Sequence, residues 1–231
     1  MDFLHNTFFL LALTFGLYFL SRYLQKRTGW ILLNPILLTI ALLILFLKAT
    51  GISYETYQEG GRLIEFWLKP SVVALGVPLY LQLESIKKQL LPILLSQLAG
   101  CVVGVASVVL TAQCLGASKE VILSLASKSV TTPIAMEVTA AVQGIPSLTA
   151  AVVVCVGLFG AIFGFQVLHI GRVGSPIAQG LSMGTASHAV GTSAAMSVSN
   201  KYGAYASLGL TLNGILTALL TPTILELLGL L

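Results

Sequence analysis

A polar segment at residues 125–138 constrains the fold more than any other feature of this chain. It places a lysine, several hydroxyl side chains and a proline inside a sequence that is otherwise strongly apolar. The segment also has a second copy, because residues 127–138 and residues 187–198 are identical at six of twelve aligned positions. A composition of this kind gives roughly one such identity by chance. The sixty-residue shift also pairs identical dipeptides at 147–148 and 207–208, so the sequence predicts two polar elements, each followed by a membrane helix.

The rest of the chain is too apolar for a water-soluble protein. Hydrophobic residues make up 56% of the 231 residues and charged residues only 9%, which leaves too little polar surface to cover a soluble globule. The net charge is +4, but the cations lie in short loops between apolar runs and so indicate topology rather than nucleic-acid binding. The sequence therefore predicts an integral membrane protein, embedded in the lipid bilayer and without a nucleic-acid partner.

The apolar runs predict one all-α membrane domain over residues 1–231. Residues 1–115 hold four N-terminal helices, and residues 116–231 hold two repeats of a polar broken element plus a helix. About 20 apolar residues are needed to cross the hydrocarbon core, and six runs meet or approach this length. The predicted spanning helices cover about residues 8–20, 30–48, 66–83, 92–114, 148–168 and 205–228.

Smaller signals refine this outline. Residues 51–65 are polar and predict an interfacial loop or a short surface helix. Pro70 and Pro78 interrupt the third apolar run, which makes them candidate hinges, because a break at membrane depth persists only where protein or water covers the freed backbone. Small residues at four-residue spacing allow close helix contact, either within the fold or across a homodimer. These residues are Ser96, Gly100 and Gly104.

The cysteines do not predict a disulfide or a metal site. The chain has three, they all lie in apolar runs, and none forms a CxxC pair. We expect them to pack as small buried thiols. No other pattern in the sequence predicts a metal or a cofactor.

Each polar element, about 26 residues long, has room either to cross the membrane as a broken helix or to enter and leave on one side as a hairpin. If both elements cross, six loop lysines and arginines lie on one side of the membrane and five on the other. If both are hairpins, seven lie on one side and four on the other. The second division agrees better with the positive-inside rule. It also leaves one crossing between the copies, so the hairpins enter from opposite faces. We therefore expect about six spanning helices plus two re-entrant or broken helical elements arranged as an inverted repeat.

Four stretches of the chain resemble the LrgB/CidB family of bacterial membrane proteins. They are Leu32–Pro35, Pro70–Leu75 with Pro78–Tyr80, Lys128–Met136 and Gly184–Thr192. The resemblance implies a multi-pass protein of the bacterial inner membrane that works beside a smaller, holin-like LrgA/CidA-type protein. It also implies two functions: modulation of murein hydrolase export and autolysis, and transport of small carboxylates such as pyruvate, or glycolate and glycerate for the related plastid transporter.

Lys128 is the main candidate for a binding residue. An ionised lysine at the bilayer centre costs roughly 2.5 to 3.5 kcal/mol, so we expect Lys128 to face a cavity or an anion. It then binds a substrate carboxylate together with hydroxyls and with the helix N-terminus after the break. The alternative is that Lys128 reaches the interface or pairs with Glu137. The predicted substrate-binding residues are Lys128, Ser129, Thr131, Thr132, Thr185, Ser187, His188 and Thr192.

Most of the remaining polar and small residues have more than one interpretation. His188 aligns with Lys128, so it is a second ligand, a proton carrier for coupling, or a hydrogen-bonded packing residue. Glu137 is a coupling candidate or a counter-ion for Lys128. Pro133, Gly184 and Gly191 are candidate hinge positions, although close helix packing also explains the glycines.

The sequence does not predict an enzyme. Ser187 and His188 are adjacent on one helix and project apart, and no acid lies at a useful spacing to orient the histidine. We expect a secondary carrier of small monocarboxylates, that is 2-hydroxy or 2-oxo acids, coupled to ions or protons. The alternative is an antiholin-like or holin-like modulator of murein hydrolase export that acts with an LrgA/CidA-type partner.

Overall fold

The computed structural model describes residues 6–30, 33–74, 76–81 and 83–231, and within these ranges the secondary structure is helical without a strand. The chain divides into two compact units, Met1–Ala74 and Leu75–Leu231. Each unit is considered by itself below.

The described residues of the first unit form three α-helices, which are α1 (Thr7–Thr28), α2 (Pro35–Thr50) and α3 (Tyr54–Ala74). Asparagine side chains cap two of them: the Asn34 side chain accepts hydrogen bonds from two backbone amides of the first turn of α2, and Asn6 does the same for α1. Side chains join the helices, because Thr39 donates to Ser21 at 3.2 Å. A loop or a short surface helix was predicted at 51–65, and residues 54–65 form the first part of a longer helix, α3, which continues through Pro70.

The second unit contains eight helices among its described residues. They are α4 (Gly76–Leu81), α5 (Leu83–Lys87), α6 (Leu90–Cys114), α7 (Lys119–Ala126), α8 (Thr132–Ala141), α9 (Pro146–Ile170), α10 (Pro176–Val198) and α11 (Asn200–Leu227). Pro78 lies within α4. Residues 75 and 82, which fall in the predicted third apolar helix, lie outside the described residues.

Four helices are long and apolar enough to cross a membrane: α1, α6, α9 and α11. The prediction of an all-α multi-pass membrane protein is confirmed at this level. The count of six crossings is not established, because α2 is a shorter apolar helix of 16 residues and the third predicted segment is divided among α3, α4 and α5.

The first polar element folds back on itself at a break between α7 and α8. Ser127, at the end of α7, donates its hydroxyl to the carbonyl of Ala135 at 3.0 Å and lies 3.0 Å from the Thr139 hydroxyl. Nearer the start of α7, the Ser124 hydroxyl accepts a hydrogen bond from the Ile145 amide at 2.7 Å. Because residues progressively earlier in α7 meet residues progressively later in the chain, α8 runs back along α7. We call residues 119–141 the first hairpin.

The second polar element is α10, and it is broken sixty residues after the first break. Ser187 (φ −130°, ψ 17°) and His188 (φ 43°, ψ −138°) have non-helical backbone angles in the middle of the helix. A Cβ placed on Gly191 would lie 2.5 Å from the Met183 carbonyl oxygen, a contact between residues eight positions apart that a straight helix does not allow. The part of α10 after the break therefore folds back on the part before it, and we call residues 176–198 the second hairpin.

Glycines allow the second hairpin to approach α11 closely. A Cβ on Gly184 would overlap the backbone carbonyl of Ala206, and one on Gly180 would lie 2.7 Å from the carbonyl oxygen of Tyr202. At these positions a side chain larger than hydrogen cannot be placed without moving backbone. Gly180 and Gly184, the second of which the sequence analysis names as a hinge or packing position, thus set the distance between the second hairpin and α11.

Candidate functional site

A single amide from α11 holds the breaks of the two hairpins together. Asn213 is almost fully buried, at 2% exposure. Its Nδ2 donates to the carbonyl oxygen of Thr185 at 2.9 Å and to that of Ser129 at 3.3 Å. Thr185 belongs to the second hairpin and Ser129 to the first. The two polar elements therefore meet inside the second unit.

The reciprocal contact ties the second break to α9. The imidazole Nε2 of His188 lies 2.9 Å from the carbonyl oxygen of Val153, and since a carbonyl only accepts, Nε2 carries the proton. Gly157 leaves room for the ring, because a Cβ there would lie 2.6 Å from His188 Cε1. Val153 and Asn213 are sixty residues apart, the same shift that relates the two hairpins. The helix after each hairpin thus contacts the break of the other.

A first cavity of about 570 Å³ lies between α6, α11 and the two hairpins. Its walls carry many polar side chains for a membrane protein. They include Ser96, Gln97, Lys128, Ser129, Ser182, Thr185, Asn213 and Thr217. Gln97, buried in α6, accepts a hydrogen bond from the Thr185 hydroxyl at 2.7 Å. Two helices and both breaks therefore place polar groups in the wall of one cavity.

A second cavity of about 540 Å³ lies between α9 and the second hairpin. Its walls are mostly apolar, and α9 provides most of them. The apolar side chains are Cys155, Val156, Phe159, Val167, Leu168 and Met183. Lys128, Ser182 and Ala186 line both cavities, so the two cavities adjoin at Lys128.

Lys128 is the charged group at this junction. Its Nζ donates to the Ser129 hydroxyl at 3.1 Å. Within the described part of the chain the one ion pair joins Lys87 to Glu84, at 3.4 Å, so Lys128 has no acidic partner among those residues. Glu137 is exposed and does not form the predicted pair with Lys128. An ammonium group with only a neutral hydroxyl as partner is suited to binding an anion.

The predicted substrate-binding residues fall into two groups by position. Lys128, Ser129 and Thr185 line the first cavity, and Lys128 and Ser187 line the second. The other four line neither cavity: Thr131, Thr132, His188 and Thr192. The Thr192 hydroxyl donates to the His188 carbonyl at 2.9 Å, and Thr131 precedes the first turn of α8, which contains Pro133. The binding roles themselves stay predictions.

Several polar residues of the first cavity were not predicted from the sequence as binding residues, among them Asn213, Gln97 and Ser182. Each lies in a long helix, in α11, α6 and α10 respectively. A polar amide within an otherwise apolar spanning segment is itself a signal, because it must find a partner inside the protein. Metal ligation has no such signal: the described residues contain no group of three or more His, Cys, Asp or Glu side chains placed to hold a metal ion.

Comparison with known proteins gives matches over nearly the whole chain. The model of the LrgB-like family matches residues 14–227. The chain is 35% identical over 216 residues, 94% of each sequence, to a protein of Staphylococcus epidermidis named holin-like protein CidB. It is 36% identical over 216 residues, again 94% of each, to holin-like protein CidB of Staphylococcus aureus. It is also 36% identical over 215 residues to the uncharacterized protein YxaC of Bacillus subtilis, covering 93% of this chain and 94% of that one. No solved structure matches the chain.

Proposed function

Because this chain belongs to the LrgB-like family, we propose that it is a holin-like membrane protein that modulates murein hydrolase export and autolysis. The relatives named holin-like protein CidB match it over 94% of its length, and this observation supports the proposal most directly. The sequence alone favoured a carrier, whereas the names of the relatives favour the holin-like function. In this proposal the chain acts in the bacterial inner membrane with a small LrgA/CidA-type partner.

The test compares cells that lack this protein, cells that lack the partner and cells that lack both. We expect loss of this protein to change murein hydrolase activity in the culture medium, measured on cell-wall gels, only when the partner is present. A Lys128→Gln protein restores the normal level, because this function does not use the cation. Hydrolase activity and lysis rates that are the same in all strains would reject the holin-like function.

A second function, transport of small monocarboxylates, is favoured by one specific observation. Lys128 lies at the junction of two cavities without an acidic partner among the described residues. A cation inside a membrane protein is costly, and it is usually retained where it binds a substrate or an ion. The substrates in this proposal are 2-hydroxy and 2-oxo acids such as glycolate, glycerate and pyruvate, because the first cavity adds hydroxyl and amide groups around the cation.

In the carrier proposal the two hairpins re-enter the membrane from opposite faces as an inverted repeat. The helix lengths support this, because α7 has 8 residues and α8 has 10, which at 1.5 Å per residue gives roughly 12 and 15 Å. Each half thus reaches about halfway through a ~30 Å hydrocarbon core. The single long helix α9 lies between the hairpins, and an odd number of crossings inverts the second copy relative to the first.

Uptake by purified protein in liposomes tests this second function. We expect saturable uptake of pyruvate, glycolate, glycerate or lactate that falls roughly 10- to 150-fold in Lys128→Gln, since a hydrogen bond to a charged group contributes about 1.5 to 3 kcal/mol. The matched control is Lys201→Gln, because Lys201 is exposed at the start of α11 and lines neither cavity. Uptake equal to that of empty liposomes for all four acids would reject the carrier.

Ion coupling is part of the carrier proposal, and His188 and Glu137 are its candidate residues. His188 is 5% exposed and bonded to a backbone carbonyl, whereas Glu137 is exposed. If His188 carries the proton, uptake driven by a pH gradient is lost in His188→Gln and retained in Glu137→Gln. The opposite pattern would assign coupling to Glu137.

A further inference from the structure

The second cavity has no role in binding an acid as small as pyruvate. At about 540 Å³ it is nearly as large as the first cavity, and cavities of this size hold organic ligands rather than single ions. Its walls are the apolar face of α9, with Val156, Phe159 and Val167, and the Met183 side chain of the second hairpin. It is therefore built for an apolar group.

We propose that the second cavity is the tail subsite of a monocarboxylate whose carboxylate binds Lys128. This inference rests on the proposed carrier function and extends it to acids longer than pyruvate. The ligand is a 2-oxo or 2-hydroxy acid with an aliphatic side chain. Its carboxylate accepts from Lys128 Nζ, its 2-oxygen faces the polar first cavity, and its side chain occupies the apolar second cavity.

The charge distribution selects the class of ligand. Among the described residues that line either cavity, Lys128 is the one basic side chain, and none is an aspartate or glutamate. One carboxylate can thus be neutralised, at the junction. A second carboxylate at the far end of the ligand would lie against the apolar side chains of Phe159 and Val167 without a basic partner, which is unfavourable for a charged group. The site therefore accepts monocarboxylates and rejects dicarboxylates of equal length.

The tail subsite opens at the surface of the second unit. Phe159 is 63% exposed and Val167 is 56% exposed, so the subsite has an open side between α9 and the second hairpin. An acyl chain of a lipid is the competing occupant of such an opening. A free acid differs from a lipid chain in one respect: its affinity depends on the cation at Lys128 and on the length of its own tail.

Equilibrium binding of radiolabelled acids to the whole protein in nanodiscs tests the proposal, with empty nanodiscs as the blank. The series runs from pyruvate through 2-oxobutyrate and 2-oxopentanoate to 2-oxohexanoate. We expect affinity to rise about four-fold for each added methylene, which corresponds to ~0.8 kcal/mol per buried methylene. The dicarboxylate 2-oxoadipate, of the same chain length as 2-oxohexanoate, should not bind measurably.

Three variants on α9 test whether the gain in affinity comes from the second cavity. Cys155→Phe places a ring in the second cavity and should remove the dependence on tail length. Val154→Phe is the matched control and should keep it, because Val154 is exposed and lines neither cavity. Phe159→Ala enlarges the cavity at an exposed position, so the gain should extend to a longer acid than in the unmodified protein.

The outcomes separate this inference from the carrier function. If pyruvate binds only when Lys128 is present and all acids of the series bind with equal affinity, the tail subsite is rejected and the carrier function is not. A gain with tail length that persists in both Lys128→Gln and Cys155→Phe would show that tails partition into lipid, which also rejects the subsite. If no acid binds, pyruvate included, both the carrier function and the subsite are rejected.

Discussion

Replacing Asn213 with leucine removes the amide that links the two hairpins while keeping a side chain of similar size. Two backbone carbonyls, those of Thr185 and Ser129, lose a donor at 2.9 and 3.3 Å. Asn213 is 2% exposed, and a leucine in its place offers no donor to either carbonyl. The substitution therefore tests whether the contact between the breaks stabilises the second unit.

The expected loss follows from two reference values. Side-chain hydrogen bonds inside membrane proteins contribute about 0.6 kcal/mol on average, which for two bonds gives about 1 kcal/mol. A buried carbonyl left without a donor costs about 1 to 3 kcal/mol, and here the break in α10 at Ser187 and His188 interrupts the helical hydrogen bonding beside Thr185. We expect Asn213→Leu to lower the free energy of unfolding by about 2 to 3 kcal/mol.

Reversible unfolding in mixed micelles, followed by circular dichroism, measures this loss. The matched control is Thr211→Val in the same helix, because the Thr211 hydroxyl donates only to the Ser207 carbonyl one turn earlier, at 2.8 Å. We expect the control to change the stability by less than about 0.5 kcal/mol, as for other substitutions outside a network. Equal stabilities of Asn213→Leu and Thr211→Val would refute the role given to the amide.

Two further substitutions test the packing of the hairpins. Gly184→Ala should destabilise the protein by about 1 to 3 kcal/mol, as overpacking does, because the added Cβ would overlap the Ala206 carbonyl. The control is Gly104→Ala, which should not destabilise the protein because a Cβ at residue 104 meets no atom within 4 Å. Equal melting temperatures of the two alanine variants would contradict this. Thr149→Val should lower the free energy of unfolding by about 1 to 3 kcal/mol, because the Thr149 hydroxyl lies 2.8 Å from the Ser124 carbonyl and 2.9 Å from the Thr139 hydroxyl. The same unfolding assay measures this loss, and an unchanged unfolding midpoint would contradict it.

The sequence predicted two broken polar elements sixty residues apart, because the local chemistry was duplicated, but the second break lies at Ser187 and His188, between the candidate hinges Gly184 and Gly191. Hydroxyl side chains beside Lys128 and His188 interrupt the apolar pattern at the same place in both copies, and both breaks begin at a serine, Ser127 and Ser187. The family resemblance was likewise readable from short motifs. The boundaries of the early helices were harder to predict, since a polar stretch near a membrane does not by itself distinguish a loop from a helix. The polar stretch after residue 51 is helical from Tyr54 onward, where α3 starts.

The orientation of His188 was not readable from the sequence. Its alignment with Lys128 suggested an equivalent role, but its backbone has a positive φ of 43°, which turns the side chain toward α9. The ring fits there because Gly157 lacks a side chain, and its acceptor is a backbone carbonyl, that of Val153. Backbone acceptors leave no pattern in a sequence. For the same reason Asn213 was missed, since both of its acceptors are carbonyls.

The exchange of contacts between the copies explains why one broken element is accompanied by a second. A helix break at membrane depth frees backbone groups that lipid cannot satisfy, and a hairpin of 8 and 10 helical residues is too short to cover its own tip. Here α11 supplies a donor to the first break through Asn213, and α9 supplies an acceptor to the second through Val153. With both breaks stabilised in this way, Lys128 is the group at the junction whose charge has no partner among the described residues. In the carrier proposal, a fold that leaves this one cation unpaired binds its ligand there, so a substitution at Lys128 should have a larger effect on uptake than one elsewhere in the cavities.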